Sequence, residues 1–540
     1  MASLPVQILK TVKYNRFYQD FNNGNSAALK YLPAFNQQKL TELTDQLLPM
    51  SDVQQQVKKI LSEQNRYTSS PAAQKYLKAL ADPNSLIIIT GQQLGLMVSP
   101  LYTVYKALTI LKLAELLNKD NLKYIPVFWL ETEDHDFQEI NHLGIWDGKL
   151  NPVQIRYDGQ DAGRKSIRHY IIGDKIAEVF SALEDRLIDT EFKTDFMNSL
   201  REFYQPGTSW VDAACSFFRQ LFASTGLLFF EPGREEIKNI SASFFIDFVE
   251  KAADVTDIIQ KTSRNLADSG YDLQVNPLPG KTYVHIEDEN QQRLHLYFEQ
   301  NEFYFKDRTD RYSKAQIQGL IKSAPDRVST AVISRPLLQS WLLPVAVYVA
   351  GPAEIAYWAQ LGDLFSKFNI MLPLIAPRSS ATLIEPKVKR FTEKHDIDLG
   401  ILPLKKQNFI DTYFSHMPED AIRNPIVSIR EMLREIREDL TVYLNQLDPT
   451  LVPVGEKTLE RIIGQIDNLE GRSVQARQRN EVTVTSHLAQ IHEAVFPEGT
   501  PQERYISPVY FINKFGDNFI SELFKKLEIL NSGHQLIEVG

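Results

Sequence analysis

The residues best suited to chemistry gather at three places. The densest is Glu131-Thr132-Glu133-Asp134-His135-Asp136, with Asn141 and His142 close behind. Four acids and a histidine in six positions repel one another unless a cation or an ammonium group sits among them. Such a cluster suits three tasks: holding a substrate's amino group, general-base work by His135 or Asp136, or a magnesium site built of carboxylates. A solvated acidic turn would have the same composition. The second place is Thr90-Gly91-Gln92-Gln93-Leu94-Gly95, running on through Ser99-Pro100-Leu101-Tyr102-Thr103-Val104-Tyr105-Lys106. Gly91 and Gly95 let backbone approach a ligand closely. Gln92 and Gln93 can both donate and accept hydrogen bonds, and Lys106 is placed to reach a phosphate. The segment is neither a Walker A loop nor a G-x-G-x-x-G, so an ordinary capped turn accounts for it equally well. The third place is Gly351-Pro352-Ala353-Glu354-Ile355-Ala356-Tyr357-Trp358, with Arg335 and Gln339 upstream and Arg378 downstream. Arg335 and Arg378 offer planar forks that suit a carboxylate or a phosphate. Tyr357 and Trp358 read as packing residues.

The elements that must position these groups are legible around them. Leu86-Ile87-Ile88-Ile89-Thr90 is short, continuous and β-branched, the pattern of a buried strand, and Gly91 ends it. Pro100 opens a helix to about Asn118, with Leu101, Val104, Tyr105, Leu108, Leu111 and Ala114 on its inner face. A second strand follows at 125–130. Strand, helix and strand at this spacing form a βαβ unit, which requires a parallel sheet. The pattern returns with a strand at 346–350, a turn at Gly351-Pro352, a helix over 353–368 and a strand at 372–375. Between the halves lie a strand-like stretch at 163–172, a strand at 227–230 and a hairpin pairing 283–286 with 294–298. They read as insertions, spanning about 145–330, into one doubly wound α/β domain. Since crossovers place successive strand ends on one edge of a sheet, the three chemical segments are expected to line one cleft.

From about Asn424 the texture changes. Ile429, Leu433, Ile436, Leu440, Tyr443 and Leu447 step by four and three, a heptad seam. Pro449, Pro453 and Gly455 break it, and Leu459, Ile462, Ile463, Ile466 and Leu469 resume it. This predicts an antiparallel helical hairpin that packs on itself or on a second subunit.

Composition narrows the function classes. Of 540 residues, 43% are apolar and 24% charged, with a net charge of −9. That is a globular composition, and it argues against a nucleic-acid binder relying on a broad basic surface. The single cysteine, Cys215, lies in an apolar run and reads as core packing; it allows no intrachain disulfide. The N-terminal residues Met1–Gln7 lack a secretory pattern, and no apolar run is long enough for a membrane span, so the expectation is a cytoplasmic protein.

Several runs together carry a resemblance. They are Thr90-Gly91-Gln92-Gln93, Ser99-Pro100-Leu101-Tyr102-Thr103-Val104-Tyr105-Lys106-Ala107, Val127-Phe128-Trp129, Glu133-Asp134-His135-Asp136-Phe137 and Glu139-Ile140-Asn141-His142. Arg335-Pro336-Leu337, the run from Gly351 to Trp358, Pro377-Arg378 and Pro501-Gln502-Glu503-Arg504 complete the set. In this order, along nearly the whole chain, they resemble the bacillithiol-synthesis cysteine-adding enzymes. The resemblance implies a Rossmann-like core with inserted segments, related to class I aminoacyl-tRNA synthetases and nucleotidylyltransferases, and a coiled-coil hairpin that makes a homodimer. It implies a core over 1–423, a helical hairpin over 424–500 and a C-terminal segment, 501–540, returning to the core. The implied activity joins L-cysteine to glucosaminyl malate. Forming that amide needs an activated carboxylate, so ATP is the expected donor, with Mg²⁺ as companion and an acyl-adenylate or acyl phosphate as intermediate. Lys106, His135 and Asp136 are then the expected catalytic groups. Gly91, Gln92, Gln93, Tyr102, Glu133, Asp134, Asn141, His142, Arg335, Gln339, Gly351, Glu354 and Arg378 are the expected binding groups. Leu94 and Ser99 replace smaller residues common in the family's loop, and neither an H-x-G-H nor a K-M-S-K-S motif is present. Two other readings remain open: a metal-dependent hydrolase built on Glu133-Asp134-His135-Asp136 with His142, and a coiled-coil scaffold without catalysis.

Overall fold

The computed structural model describes residues 7–119, 123–159, 163–306, 308–416, 425–531 and 533–540. The chain divides into two compact units, one of Met1–Leu383 with Pro501–Gly540 and one of Ile384–Thr500. The boundary expected at 423/424 lies outside the described residues.

In the first unit the apolar run expected as a strand forms β1 (Leu86–Gln93), buried from Leu86 to Gly91. Helix α1 (Tyr102–Leu117) leads to β2 (Tyr124–Glu131), and a single turn, α2 (Phe137–Ile140), follows. Strand β3 is Leu228–Phe230. Then come β4 (Lys281–Glu287), β5 (Arg293–Glu299), β6 (Glu302–Phe305), β7 (Arg311–Tyr312) and β8 (Val328–Thr330). Helix α3 (Ser334–Leu342), β9 (Val345–Ala350), α4 (Pro352–Trp358) and β10 (Leu374–Pro377) complete the set that matters here.

Five of these strands form the central sheet in the order β10-β9-β1-β2-β3, every neighbouring pair parallel. This is the doubly wound arrangement that the repeated βαβ pattern predicts. Helices cover both faces, so the strands have no polar face: β9 is buried at all six positions. Below the sheet's ends the core is aromatic, with Trp358 stacked on Tyr348 at 4.3 Å and Trp129 against Phe230 at 5.0 Å. Each large apolar side chain fully withdrawn from water there contributes about 1.5–3 kcal/mol.

The insertion contains a separate antiparallel sheet in the order β8-β4-β5-β6-β7. The expected hairpin is its β4–β5 pair, which sets His285 opposite His295. Two expectations are corrected. The stretch 163–172 is not a strand: Ile167–His169 is a 3₁₀ turn, because the Ile167 amide is tied to the Asp134 carbonyl rather than to a neighbouring strand. The helix expected over 353–368 is two, Pro352–Trp358 and Gly362–Lys367. Between them Gln360 is fully buried and donates to Ser263 and to the Val275 carbonyl, which draws the chain out of a continuous helix. At the C-terminus, His534–Glu538 pairs with the strand Ser380–Ile384.

The second unit contains the helical hairpin, α5 (Pro425–Leu447) and α6 (Val452–Asn480), joined by a 3₁₀ turn at Pro449–Leu451. Pro453 and Gly455 do not break the returning helix. Proline is tolerated in a first turn, where its missing N–H costs nothing. Gly455 lets the arms approach closely, since a Cβ there would lie 2.4 Å from Leu444 Cδ1 and displace that methyl group. Arg430 ties the arms together by pairing with Asp467 and Glu470. Of the heptad seam, Leu433 and Leu440 are partly covered, while Ile436, Tyr443 and Leu447 are 51, 59 and 63% exposed. Among the described residues no helix is long and apolar enough to cross a membrane.

Candidate active site

In the central sheet β1 has β2 on one side and β9 on the other, so the chain winds outward in both directions from this pair. Ligands of such sheets bind in the crevice beyond the strands' carboxyl ends at that switch point. A cavity of about 600 Å³ opens there, within the usual size range for small-molecule sites. The three chemical segments meet in it, as the crossover argument expects. Gly91, Gln92 and Gln93 come from the end of β1, Tyr102 and Lys106 from α1, and Glu131, Asp134 and His135 from the end of β2 and the loop beyond. Gly351, Glu354 and Tyr357 belong to the start of α4 and its first turns, and Arg378 stands just past β10.

The loop after β1 is folded tightly on itself. Gly95 is obligatory, since a Cβ there would lie 2.1 Å from the Ser99 carbonyl oxygen. The loop delivers Lys106 to the mouth of β1, where its ammonium donates to the Gly91 carbonyl at 2.7 Å and Gln92 Oε1 at 2.9 Å. It pairs with Glu354 Oε2 at 2.6 Å. Burial lowers the Lys106 pKa, and Glu354 works against that. Glu354 also accepts from the Gly351 amide and the Tyr348 hydroxyl, so it clamps the start of α4 onto α1. Gln92 in turn donates to the Tyr102 hydroxyl at 3.1 Å.

Beyond β2 the acidic run is divided among different surroundings. Glu131 is half-buried 3.8 Å from Arg335 Nε; desolvation pushes its pKa up to about 7 against the pull of that guanidinium. Burial also disfavours the charged form of Asp134, yet hydrogen bonds from His135 and Gln93 and the charge of Arg293 prevail. They hold it well below the usual carboxylate range. Arg293 Nη1 reaches both Asp134 Oδ1, at 3.3 Å, and His135 Nδ1, at 3.1 Å. The same Nδ1 lies 3.4 Å from Asp134 Oδ1, so it faces a donor and an acceptor together. Arg335 donates to the Tyr357 and Tyr348 hydroxyls at 2.7 and 3.2 Å, while its buried Nη1 has no hydrogen-bond partner among the described residues. Tyr357 therefore lines the site as well as packing.

Other expected residues lie elsewhere. Asp136 is exposed ahead of α2 and does not line the cavity. Glu133 is buried against Lys238, whose ammonium also donates to the Val328 carbonyl. Asn141 donates to the Tyr157 carbonyl and His142 contacts the Gln138 carbonyl, both outside the cavity. Gln339 is fully buried within α3 and does not reach it either. Arg378 does line the cavity, but its fork is spent on Glu503, at 2.8 and 2.9 Å. Burial opposes the Glu503 charge, and Arg378 still brings its pKa down to about 2. That pair ties the end of β10 to the C-terminal return.

The cavity also holds groups the sequence reading missed. The insertion sheet contributes Lys281 and His285 from β4 and Arg293 and His295 from β5, and the C-terminal return contributes Arg504. His295 Nδ1 lies 2.9 Å from His285 Nε2, and burial holds both imidazoles below their ordinary pKa, His295 at about 3. The one sequence signal was the hairpin itself, whose register sets the two histidines opposite each other. The lining has six basic side chains, Lys106, Lys281, Arg293, Arg335, Arg378 and Arg504, against four carboxylates, Glu131, Asp134, Glu139 and Glu354. The excess of positive charge favours anionic ligands.

Comparison with known proteins agrees with this architecture. Residues 4–379 match the family model described as bacillithiol biosynthesis BshC, N-terminal Rossmann-like domain, and residues 381–539 match its C-terminal coiled-coil domain. A protein of Desulforamulus reducens is 32% identical over 85% of this chain and 85% of its own. One of Salinibacter ruber is 31% identical over 89% of this chain and 88% of its own, and one of Oceanobacillus iheyensis is 24% identical over the full length of both. All three carry the name "Putative cysteine ligase BshC". With both family domains matched end to end on a chain that folds as they require, the protein belongs to the BshC family of bacillithiol biosynthesis.

Proposed function

We propose that this chain is a ligase that joins the carboxylate of L-cysteine to the amine of glucosaminyl malate, giving bacillithiol, with ATP as the activating donor. The observation that carries this reading is the convergence of the three strand-end segments on one anion-binding cavity at the switch point of the parallel sheet. The donor set fits a nucleotide: basic side chains outnumber carboxylates, and Arg335 Nη1 is buried without a partner among the described residues. ATP supplies a phosphorylated leaving group for the cysteine carboxylate, since hydroxide leaves too poorly. Arg335 and Arg504 then face the negative charge that develops, as preorganised cations must. The attacking amine has to shed a proton as the amide bond forms, and Glu131 or His135 takes it. Lys106 shapes the site through Gly91, Gln92 and Glu354 instead of meeting the reacting atoms directly.

Magnesium in this reading arrives with the nucleotide's phosphates. Asp134 and Glu131 are already engaged by Arg293 and Arg335, and among the described residues no three His, Cys, Asp or Glu side chains stand together as metal ligands. The same placement removes the support for a hydrolase site built on His135, Asp136 and His142, which do not converge. We further propose a cytoplasmic homodimer formed through the exposed stripe Ile436, Tyr443 and Leu447 of α5, since large apolar side chains regularly spaced on one helix favour burial against a second copy. The functional reading is tested by deleting the gene in a bacillithiol-making host. Bacillithiol should vanish and glucosaminyl malate accumulate, and the wild-type chain should restore both. Unchanged bacillithiol in the deletion strain would overturn it.

A further inference from the structure

Resting on that reading, we infer that Lys281 is the residue that recognises a carboxylate of the acceptor's malyl arm. The charges of the cavity pair off in a definite way. Lys106 is matched by Glu354, Arg335 by Glu131, Arg293 by Asp134 and Arg378 by Glu503. Lys281 and Arg504 are left, and among the described residues neither side chain has an ion pair or a hydrogen bond. The two differ in setting. Arg504 is exposed, and its charge acts on Tyr102 at the start of α1. Lys281 is half-buried at the first position of β4, with its ammonium 5.6 Å from the Tyr283 ring and close enough to His295 to disfavour a second positive charge there. Burial without a counter-ion lowers its own pKa. An ammonium in that position is stabilised by an anion brought in with a ligand.

Its place in the fold says which ligand. A nucleotide in a doubly wound sheet lies across the switch point, among groups held by the parallel strands and their helices. Lys281 is carried instead by the antiparallel insertion, on the wall it shares with His285, Arg293 and His295. That wall is left for the acceptor, and the anionic part of the acceptor is its dicarboxylate.

The test is isothermal titration of the full-length protein with glucosaminyl malate, with glucosamine and with ATP, for the wild type, Lys281→Met and Lys281→Arg. Methionine keeps most of the stem and removes the charge. Losing a charge-assisted hydrogen bond should weaken glucosaminyl malate roughly tenfold to a hundredfold. Lys281→Arg should recover most of that loss, and glucosamine and ATP should bind all three proteins alike. Unchanged binding of glucosaminyl malate by Lys281→Met would overturn the assignment, as would a selective loss of ATP, which would place Lys281 on the phosphates. A wild-type protein that binds no glucosaminyl malate would remove the ligase reading itself, and this assignment with it.

Discussion

Substituting Lys106 separates an anchoring role from a chemical one. Its side chain is 4% exposed, with Glu354 at 2.6 Å and two neutral acceptors within 2.9 Å of the ammonium. Lys106→Met leaves the Glu354 carboxylate buried with only the Gly351 amide and the Tyr348 hydroxyl as donors. Stripping one partner from a buried ion pair costs about 3–5 kcal/mol, because the other charge stays behind. With an unfolding entropy of roughly 2 cal/mol/K per residue, a unit of this size loses about 1 °C of melting temperature per kcal/mol. Lys106→Met should therefore melt about 3–5 °C below the wild type. Adding Glu354→Gln removes the stranded charge while keeping an acceptor for Gly351, and should recover most of the loss. The assay is thermal unfolding of the wild type, both single variants and the double, read as a double-mutant cycle. The reasoning fails if Lys106→Met melts within 1 °C of the wild type, or if the double variant is no more stable than the single.

Three further outcomes follow from the same geometry. Glu131 titrates near 7 when folded, above its ordinary range, so the stability it contributes is full at low pH and lost as pH rises through about 7. Glu131→Gln should flatten the fall in stability between pH 5 and 8 by up to about 3 kcal/mol, measured by urea unfolding across that range. Glu503→Ala strands the buried Arg378 guanidinium and should cost about 3–5 kcal/mol by urea unfolding, whereas truncating an exposed pair such as Lys525–Glu522 should leave the unfolding midpoint nearly unchanged. Ile436→Asp with Tyr443→Asp should turn the proposed dimer into a folded monomer in analytical ultracentrifugation, while Leu433→Asp, at a partly covered position, should also lower the melting temperature.

The parallel sheet was legible because its strands have no solvent face: Leu86–Ile89 and 346–350 are unbroken apolar runs. Gly91, expected to end the first, instead pairs with Trp129 inside β1, which runs on to Gln93. The meeting of the strand ends follows from crossover geometry and needs no side-chain detail. Within the clusters, residue type misled. Glu133 and Asp136 look as reactive as Asp134, yet one faces Lys238, distant in sequence, and the other faces water. Arg378 looks like a phosphate ligand until Glu503 of the C-terminal return is placed against it. Lys281 and Arg293 carried no local signal, and His295 only its place in the hairpin, because they matter only once the insertion sheet lines the cavity. The hairpin's period was readable, but the side facing its own returning arm was not, since a heptad does not say which helix fills it.

The central claim is the ligation itself. Purified protein, L-cysteine, glucosaminyl malate, ATP and magnesium should be incubated together and the products followed by mass spectrometry, with nucleotide turnover read in parallel. The account predicts bacillithiol, formed only when all the substrates are present, with one ATP cleaved per amide made. Bacillithiol formed at the same rate without ATP would contradict the activation step; no amide, from protein shown to bind both cysteine and glucosaminyl malate, would contradict the ligase.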